Sequence, residues 1–234
     1  MNLMNKFIGY IKNDQYAIGC SGQTVYIFNS SGHELAKFKD LKYAYLPMFI
    51  PCQSKLVVKS VDAHLAVYSL DSLKLITKFR FSKIGYAQDD GLCFSKDGRY
   101  LYNIERHIQD IHSSLSIYET TDYKRISQLF LDDPLLELRF IEYDEIRDGI
   151  YVLGFMRGHE GVMDYGFVAL LQDNHLIQKT QLPTLTYEYL EVYKGIEKFG
   201  FTSKKIRLSL LDENRIDLAD IMTKKIKLSD YIRI

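Results

Sequence analysis

The segment Leu65-Ala66-Val67-Tyr68, followed by a turn through Asp71 and Ser72 and then Leu75-Ile76-Thr77-Lys78-Phe79, reads as two short strands joined by a polar turn. Working outward, the same pattern recurs. Upstream lies Thr24-Val25-Tyr26-Ile27-Phe28, the turn Asn29-Ser30-Ser31-Gly32, then His33-Glu34-Leu35-Ala36-Lys37-Phe38. Downstream lies Leu115-Ser116-Ile117-Tyr118, the turn Thr120-Thr121-Asp122, then Arg125-Ile126-Ser127-Gln128-Leu129. A fourth copy is Phe167-Val168-Ala169-Leu170, the turn Gln172-Asp173-Asn174, then residues 177–182. A fifth is residues 206–210, the turn Asp212-Glu213-Asn214, then Ile216-Asp217-Leu218. Phe28, Tyr68, Tyr118, Leu170 and Leu210 are equivalent, at spacings of 40, 50, 52 and 40 residues. That period suits a four-stranded unit plus loops.

Two further strand-like runs precede each pair: residues 6–11 and 16–20, 43–50 and 55–59, 91–95 and 99–104, 135–142 and 150–156, 185–192 and 198–202. The expected fold class is therefore all-β, a compact β-propeller of about five four-stranded antiparallel blades. One domain spans residues 1–234, with blades near 1–40, 41–82, 87–131, 134–183 and 184–222 and a tail at 223–234.

Leu92-Cys93-Phe94-Ser95-Lys96-Asp97-Gly98-Arg99-Tyr100-Leu101 resembles the first hairpin of a WD-repeat-like β-propeller blade. In such a blade a strand ends in Phe-Ser, a polar turn ends in Asp-Gly, and the next strand opens on an apolar pair. Asp-Gly also suits the left-handed backbone of a tight hairpin. Residues 65–79 are similar to the second half of such a blade, and the resemblance covers residues 41–131. No Trp-Asp dipeptide closes a third strand and no Gly-His opens a copy, so the resemblance is to divergent propellers. It implies binding or scaffolding, although a fold alone fixes no function.

Composition agrees with strands. The chain has 18 Tyr and 13 Phe, no Trp and four Pro. Thirty basic and thirty acidic residues balance, which argues against nucleic acid or an anionic membrane as partner. Locally the balance breaks. Residues 132–164 hold nine acids against three bases, and residues 194–234 hold ten bases against six acids. Cys20, Cys52 and Cys93 match no zinc or haem spacing and sit among apolar residues. They are expected to be buried free thiols in a reducing compartment. Residues 1–10 lack the apolar core of a signal peptide and no run is long enough for a membrane helix, so the expected location is cytoplasmic.

Chemistry is expected on loops. The connections between second and third strands are longest in copies three and four, at residues 105–114 and 157–166. Glu105, His107, Asp110, His112, Arg157, His159, Glu160 and Asp164 are the expected binding residues there. His107 and His112 are five apart and His159 precedes Glu160, neither a specific metal spacing, so no metal or cofactor is expected. Ser113 and Ser114 lie near His112 without a nucleophile-elbow motif. The pairs Asp89-Asp90 and Asp132-Asp133 read as turn acids. There is no P-loop and no dinucleotide fingerprint. The basic runs at 202–207 and 224–227 read as solvated strand ends, and Tyr143, Tyr165, Tyr187, Tyr189 and Tyr193 as core, edge or interface residues. The expectation is a non-catalytic protein- or peptide-binding module with no catalytic residue assigned. The alternatives are a hydrolase or lyase built on the His/Glu/Asp loops, or a structural protein assembling through unpaired blade edges.

Overall fold

The computed structural model describes residue 7 and residues 9–82, 91–107, 112–130, 135–157, 163–173, 175–181, 185–190, 205–210 and 215–217. Among the described residues there is no helix. Sheet I is β1 (Gly9–Lys12), β2 (Tyr16–Cys20), β3 (Val25–Asn29) and β4 (Glu34–Phe38). Sheet II is β5 (Ala44–Phe49), β6 (Lys55–Ser60), β7 (His64–Ser69) and β8 (Lys74–Arg80). Sheet III is β9 (Leu92–Phe94), β10 (Tyr100–His107), β11 (His112–Glu119) and β12 (Arg125–Phe130). Sheet IV is β13 (Leu136–Asp144), β14 (Gly149–Arg157), β15 (Met163–Gln172) and β16 (His175–Gln181). Each is a four-stranded antiparallel meander in chain order. Sheet V has three strands, β17 (Leu185–Leu190), β18 (Lys205–Leu210) and β19 (Arg215–Asp217). The remaining expected strand, at 198–202, and the tail at 223–234 lie outside the described residues.

The repeat seen in the sequence has a backbone cause. In sheets I to IV the ladder between third and fourth strands slips by one residue, and the slip ends at Phe28, Tyr68, Tyr118 and Leu170. A β-bulge bends and twists the outer strand at each of these places. The turn beyond it carries one left-handed residue: Gly32 (φ 84°), Leu73 (51°), Tyr123 (58°) or Asp173 (47°). In sheet I the Gly32 N–H donates to Asn29 O at 3.0 Å, and in sheet III the Tyr123 N–H donates to Glu119 O at 2.8 Å. Both close on the last carbonyl of the third strand, over three loop residues in sheet I and four in sheet III, and the left-handed position is filled with and without glycine.

The chain divides into two compact units, residues 1–89 with 191–205 and residues 90–190 with 206–234. In the first, facing strands of sheets I and II enclose Ile18, Cys20, Val25, Ile27, Leu56, Val58, Ala66 and Tyr68. Phe38 stacks on Tyr68 with ring centres 4.5 Å apart. The backbones close in tightly: a Cβ on Gly9 would lie 1.8 Å from the Tyr45 carbonyl oxygen, so only glycine fits where β1 passes β5. In the second unit, Cys93, Ile104 and Leu115 of sheet III pack with Leu138, Val152, Phe167 and Ala169 of sheet IV. Each fully buried Leu, Ile or Phe there contributes about 1.5–3 kcal/mol.

One cysteine departs from expectation. Cys20 and Cys93 are buried and unpaired, but Cys52 is exposed. It occupies the β5–β6 turn at φ 57°, where the chain reverses at the surface.

Candidate functional site

The two long loops are mostly strand. β10 and β11 pair as far as His107 opposite His112, which leaves only residues 108–111 between them. β14 and β15 pair as far as Arg157 opposite Met163, leaving 158–162. Glu105, expected on a loop, stands inside β10 opposite Ser114 and is fully buried. His107, His112, Arg157 and Asp164 belong to strands by their backbone. Asp110, His159 and Glu160 lie outside the described residues, as do Asp89, Asp90, Asp132 and Asp133. Of the basic runs, only residues 205–207 are described, as the start of β18.

Glu105 is the centre of a polar face. Alternation puts Asn103, Glu105, Ser114, Ser116 and Tyr118 on one side of sheet III, all buried, and Ile104 and Leu115 on the other. The Tyr118 hydroxyl donates to Glu105 Oε1 at 2.8 Å, and Asn103 Nδ2 donates to the same oxygen at 3.4 Å. Gln128 Nε2 donates to Glu105 Oε2 at 3.5 Å and to Ser114 Oγ at 3.0 Å. The Arg125 guanidinium stands 3.9 Å from Oε2. Burial pushes the Tyr118 hydroxyl far above its ordinary range, and the Glu105 charge adds to this. The proton therefore stays on Tyr118 and the hydroxyl remains a donor. This carboxylate ties β10, β11 and β12 together two residues below the His107–His112 pair.

A second constellation, in the first unit, was missed in the sequence. At the β6–β7 turn, Ser60 Oγ donates to Asp62 Oδ1 at 2.5 Å. His64 Nδ1 lies 3.0 Å from the Asp62 carbonyl and 3.2 Å from Asp62 Oδ2. Two acceptors around Nδ1 assign it the proton, so in the neutral ring Nε2 carries the lone pair. The His64 and Asp62 side chains are about a quarter exposed, at 26% and 25%. The only signal in the sequence was Ser-Val-Asp-Ala-His at 60–64, which reads as an ordinary turn. Among the described residues no group of three or more His, Cys, Asp or Glu stands ready to hold a metal ion.

The opposite ends of the strands use their acids for turns. Asp144 Oδ1 accepts the Ile146 N–H at 2.9 Å, and Asp97 Oδ1 accepts the Arg99 N–H at 3.0 Å. The Ser95 hydroxyl and the Arg99 N–H together hold Asp97 below the usual carboxylate range. Tyr143 is hydrogen-bonded to Asp148, which pushes its hydroxyl up to about 12.

No family model matches the chain, and no curated protein matches it. Solved structures do. Hydrazine synthase of Kuenenia stuttgartiensis superposes with a TM-score of 0.60 at 10% identity, over 93% of this chain and 66% of that one. Dihydro-heme d1 dehydrogenase NirN, solved in complex with DHE, gives 0.54 at 14% identity, over 87% of this chain and 43% of that one. Both are β-propeller proteins, so the chain has an all-β fold of the β-propeller kind. It spans less than two thirds of either neighbour, and at these identities only the fold is shared. In all, 1076 solved chains match, so the likeness is too general to choose a function.

Proposed function

We propose that the five sheets are blades of one β-propeller, a single domain over residues 1–234. We read it as a non-catalytic module that binds a protein or peptide partner. Its contact surface is the end of the second unit where β10 meets β11 and β14 meets β15, including His107, Asp110, His112, Arg157, His159, Glu160 and Asp164. The observation that carries this reading is the buried Glu105 network directly beneath the β10–β11 tip. A buried carboxylate costs desolvation that an apolar core residue would not. Spending it on three adjacent strands makes sense where the shape of the tip matters, because a preorganised tip loses less entropy on binding. A cytoplasmic location belongs to the same reading, and its support is the three free cysteines. No helix among the described residues is long and apolar enough to cross a membrane.

The test is site-specific photo-crosslinking in cells of origin. A crosslinking residue is placed at Gln109, at Glu160, or at exposed Thr121 on the opposite end of sheet III. The reading expects one common partner from Gln109 and Glu160 and none from Thr121. Equal capture from Thr121, or none from either tip, would sink it.

A further inference from the structure

His64, at the β6–β7 turn of the first unit, has one ring nitrogen that the fold does not use. Asp62 holds Nδ1 with its carbonyl at 3.0 Å and its carboxylate at 3.2 Å, and Ser60 holds Asp62. Nε2 keeps its lone pair on a side chain that is 26% exposed. The ladder shows what stands beside it. His64 of β7 lies opposite Arg80 of β8. The Phe81 N–H donates to the Ala63 carbonyl at 2.9 Å, so His64 and Arg80, the next pair along, are a non-hydrogen-bonded pair. Side chains approach closest at such pairs, where the Cα atoms are about 4.5 Å apart. Arg80 is exposed, and among the described residues its guanidinium holds no carboxylate. Two residues along the same face Lys78 stands opposite Ala66, with its Nζ donating to Asp40 O at 3.0 Å.

A lone pair beside a guanidinium selects a ligand with two properties. The guanidinium binds an oxyanion through paired N–H donors. The Nε2 lone pair accepts an O–H and is repelled by an oxygen that carries no proton. Hydrogen phosphate meets both conditions, with ionised oxygens for Arg80 and a P–O–H for Nε2. Sulfate offers only ionised oxygens, and a phosphate monoester loses its last P–O–H at a pH of about 6. We propose that His64 and Arg80 form a binding site for hydrogen phosphate on sheet II. Asp62 fixes the tautomer that accepts the ligand proton, and Lys78 adds positive charge at the margin of the site. The site goes beyond the partner-binding reading and does not depend on it, because it belongs to the first unit and that contact surface to the second.

Long-range proton–nitrogen NMR of the histidine rings at about pH 8 tests the site, because it reports which ring nitrogen carries the proton. His64→Gln identifies the His64 signals among the six histidines. The free protein should show the His64 proton on Nδ1. Titration with sodium phosphate at constant ionic strength should move the Nε2 signal, with a dissociation constant on the order of 1 mM. Sodium sulfate and phenyl phosphate should each bind at least about tenfold more weakly. Arg80→Gln, at an exposed position, should leave the circular dichroism and the Nδ1 proton unchanged and weaken phosphate at least about tenfold. A proton on Nε2, no response to phosphate, or phosphate binding that survives Arg80→Gln would each overturn the proposal. Sulfate binding as tightly as phosphate would reduce the site to a patch of positive charge, and preferred binding of phenyl phosphate would assign it to an esterified ligand. Both results also count against it.

Discussion

If Glu105 binds Tyr118 as a charged acceptor, removing the charge should change what the Tyr118 hydroxyl is worth. The perturbation is a double-mutant cycle of Glu105→Gln and Tyr118→Phe. The bond is 2.8 Å long between two buried groups, so its loss in the parent should cost about 1.5–3 kcal/mol, the range for a hydrogen bond to a charged partner. Glutamine keeps an acceptor oxygen without the charge, so the same Tyr118→Phe change should then cost about 0.5–1.5 kcal/mol. The difference, a coupling of about 1 kcal/mol, stands clear of the ~0.3–0.5 kcal/mol scatter of independent sites. The other contacts do not blur the result. Those from Asn103 and Gln128 are long, and Arg125 is 44% exposed, which limits its ion pair to about 0–1 kcal/mol. Because the chain has no Trp, urea unfolding is followed by far-ultraviolet circular dichroism. A Tyr118→Phe cost that is equal in both backgrounds would refute the charged bond and with it the clamp beneath the tip.

Other consequences are as direct. Burial drives the Cys20 and Cys93 thiols well above their ordinary range, so a thiol reagent at neutral pH should label Cys52 alone in the native protein and all three cysteines in denaturant. Rapid native labelling of Cys20 would contradict the first-unit core. Burial pushes Tyr102 and Tyr123 from 10 up to about 12. The folded state holds these protons where the unfolded chain releases them. Their stabilisation is therefore whole below pH 10 and is lost as pH rises through about 12. Tyrosinate absorbance should show a late step coinciding with loss of the β signal, whereas complete ionisation near pH 10 in a folded protein would count against it. Gly154→Ala would set a methyl 2.4 Å from Phe167 Cζ and 3.0 Å from the Glu137 carbonyl. Phe167 is fully buried and has nowhere to swing, so the substitution should cost about 1–3 kcal/mol in urea unfolding. A neutral result would mean that the Phe167 ring is held less tightly over β14 than described.

The hairpins of third and fourth strands were legible because hydrophobic alternation survives the bulge, and the large residues at Phe28, Tyr68, Tyr118 and Leu170 mark where the bulge falls. The turns beyond them were only half legible. Gly32 announces a left-handed backbone, but Leu73 and Tyr123 adopt the same conformation without a turn-forming side chain. Glu105 was misread for a different reason. A strand with one buried polar face shows the usual period of two with the chemistry inverted, so Glu105 and Ser114, next to the strand runs, look like part of a solvated loop. What distinguishes them is the partner strand: Gln128 and Tyr118 supply the donors, and no local reading of residues 105–114 contains them. Cys52 failed by the same logic, since apolar neighbours in sequence do not bury a residue at the apex of a turn.

The polar side chains of this protein can be sorted by what their atoms already hold. Asn13, Asp97 and Asp144 each give a side-chain oxygen to backbone N–H groups of a turn. Glu105 has donors on both oxygens. Asp62 takes Ser60 on one oxygen and His64 on the other. Residues used in this way hold the strands together and have little left to offer a ligand. A group that can act on another molecule must be fixed in place by one atom and keep a second one spare. His64 meets that condition: Asp62 fixes Nδ1, and Nε2 is left as a lone-pair donor on a partly exposed ring. Its carboxylate orients the ring by hydrogen bonding, and the Ser60 hydroxyl holds that carboxylate. Sheet III places its acid deep and presents a tip above it, whereas sheet II brings the polar chain itself to the turn. The same hairpin position is thus used in two ways, and the difference lies in whether the polar group there keeps an atom free.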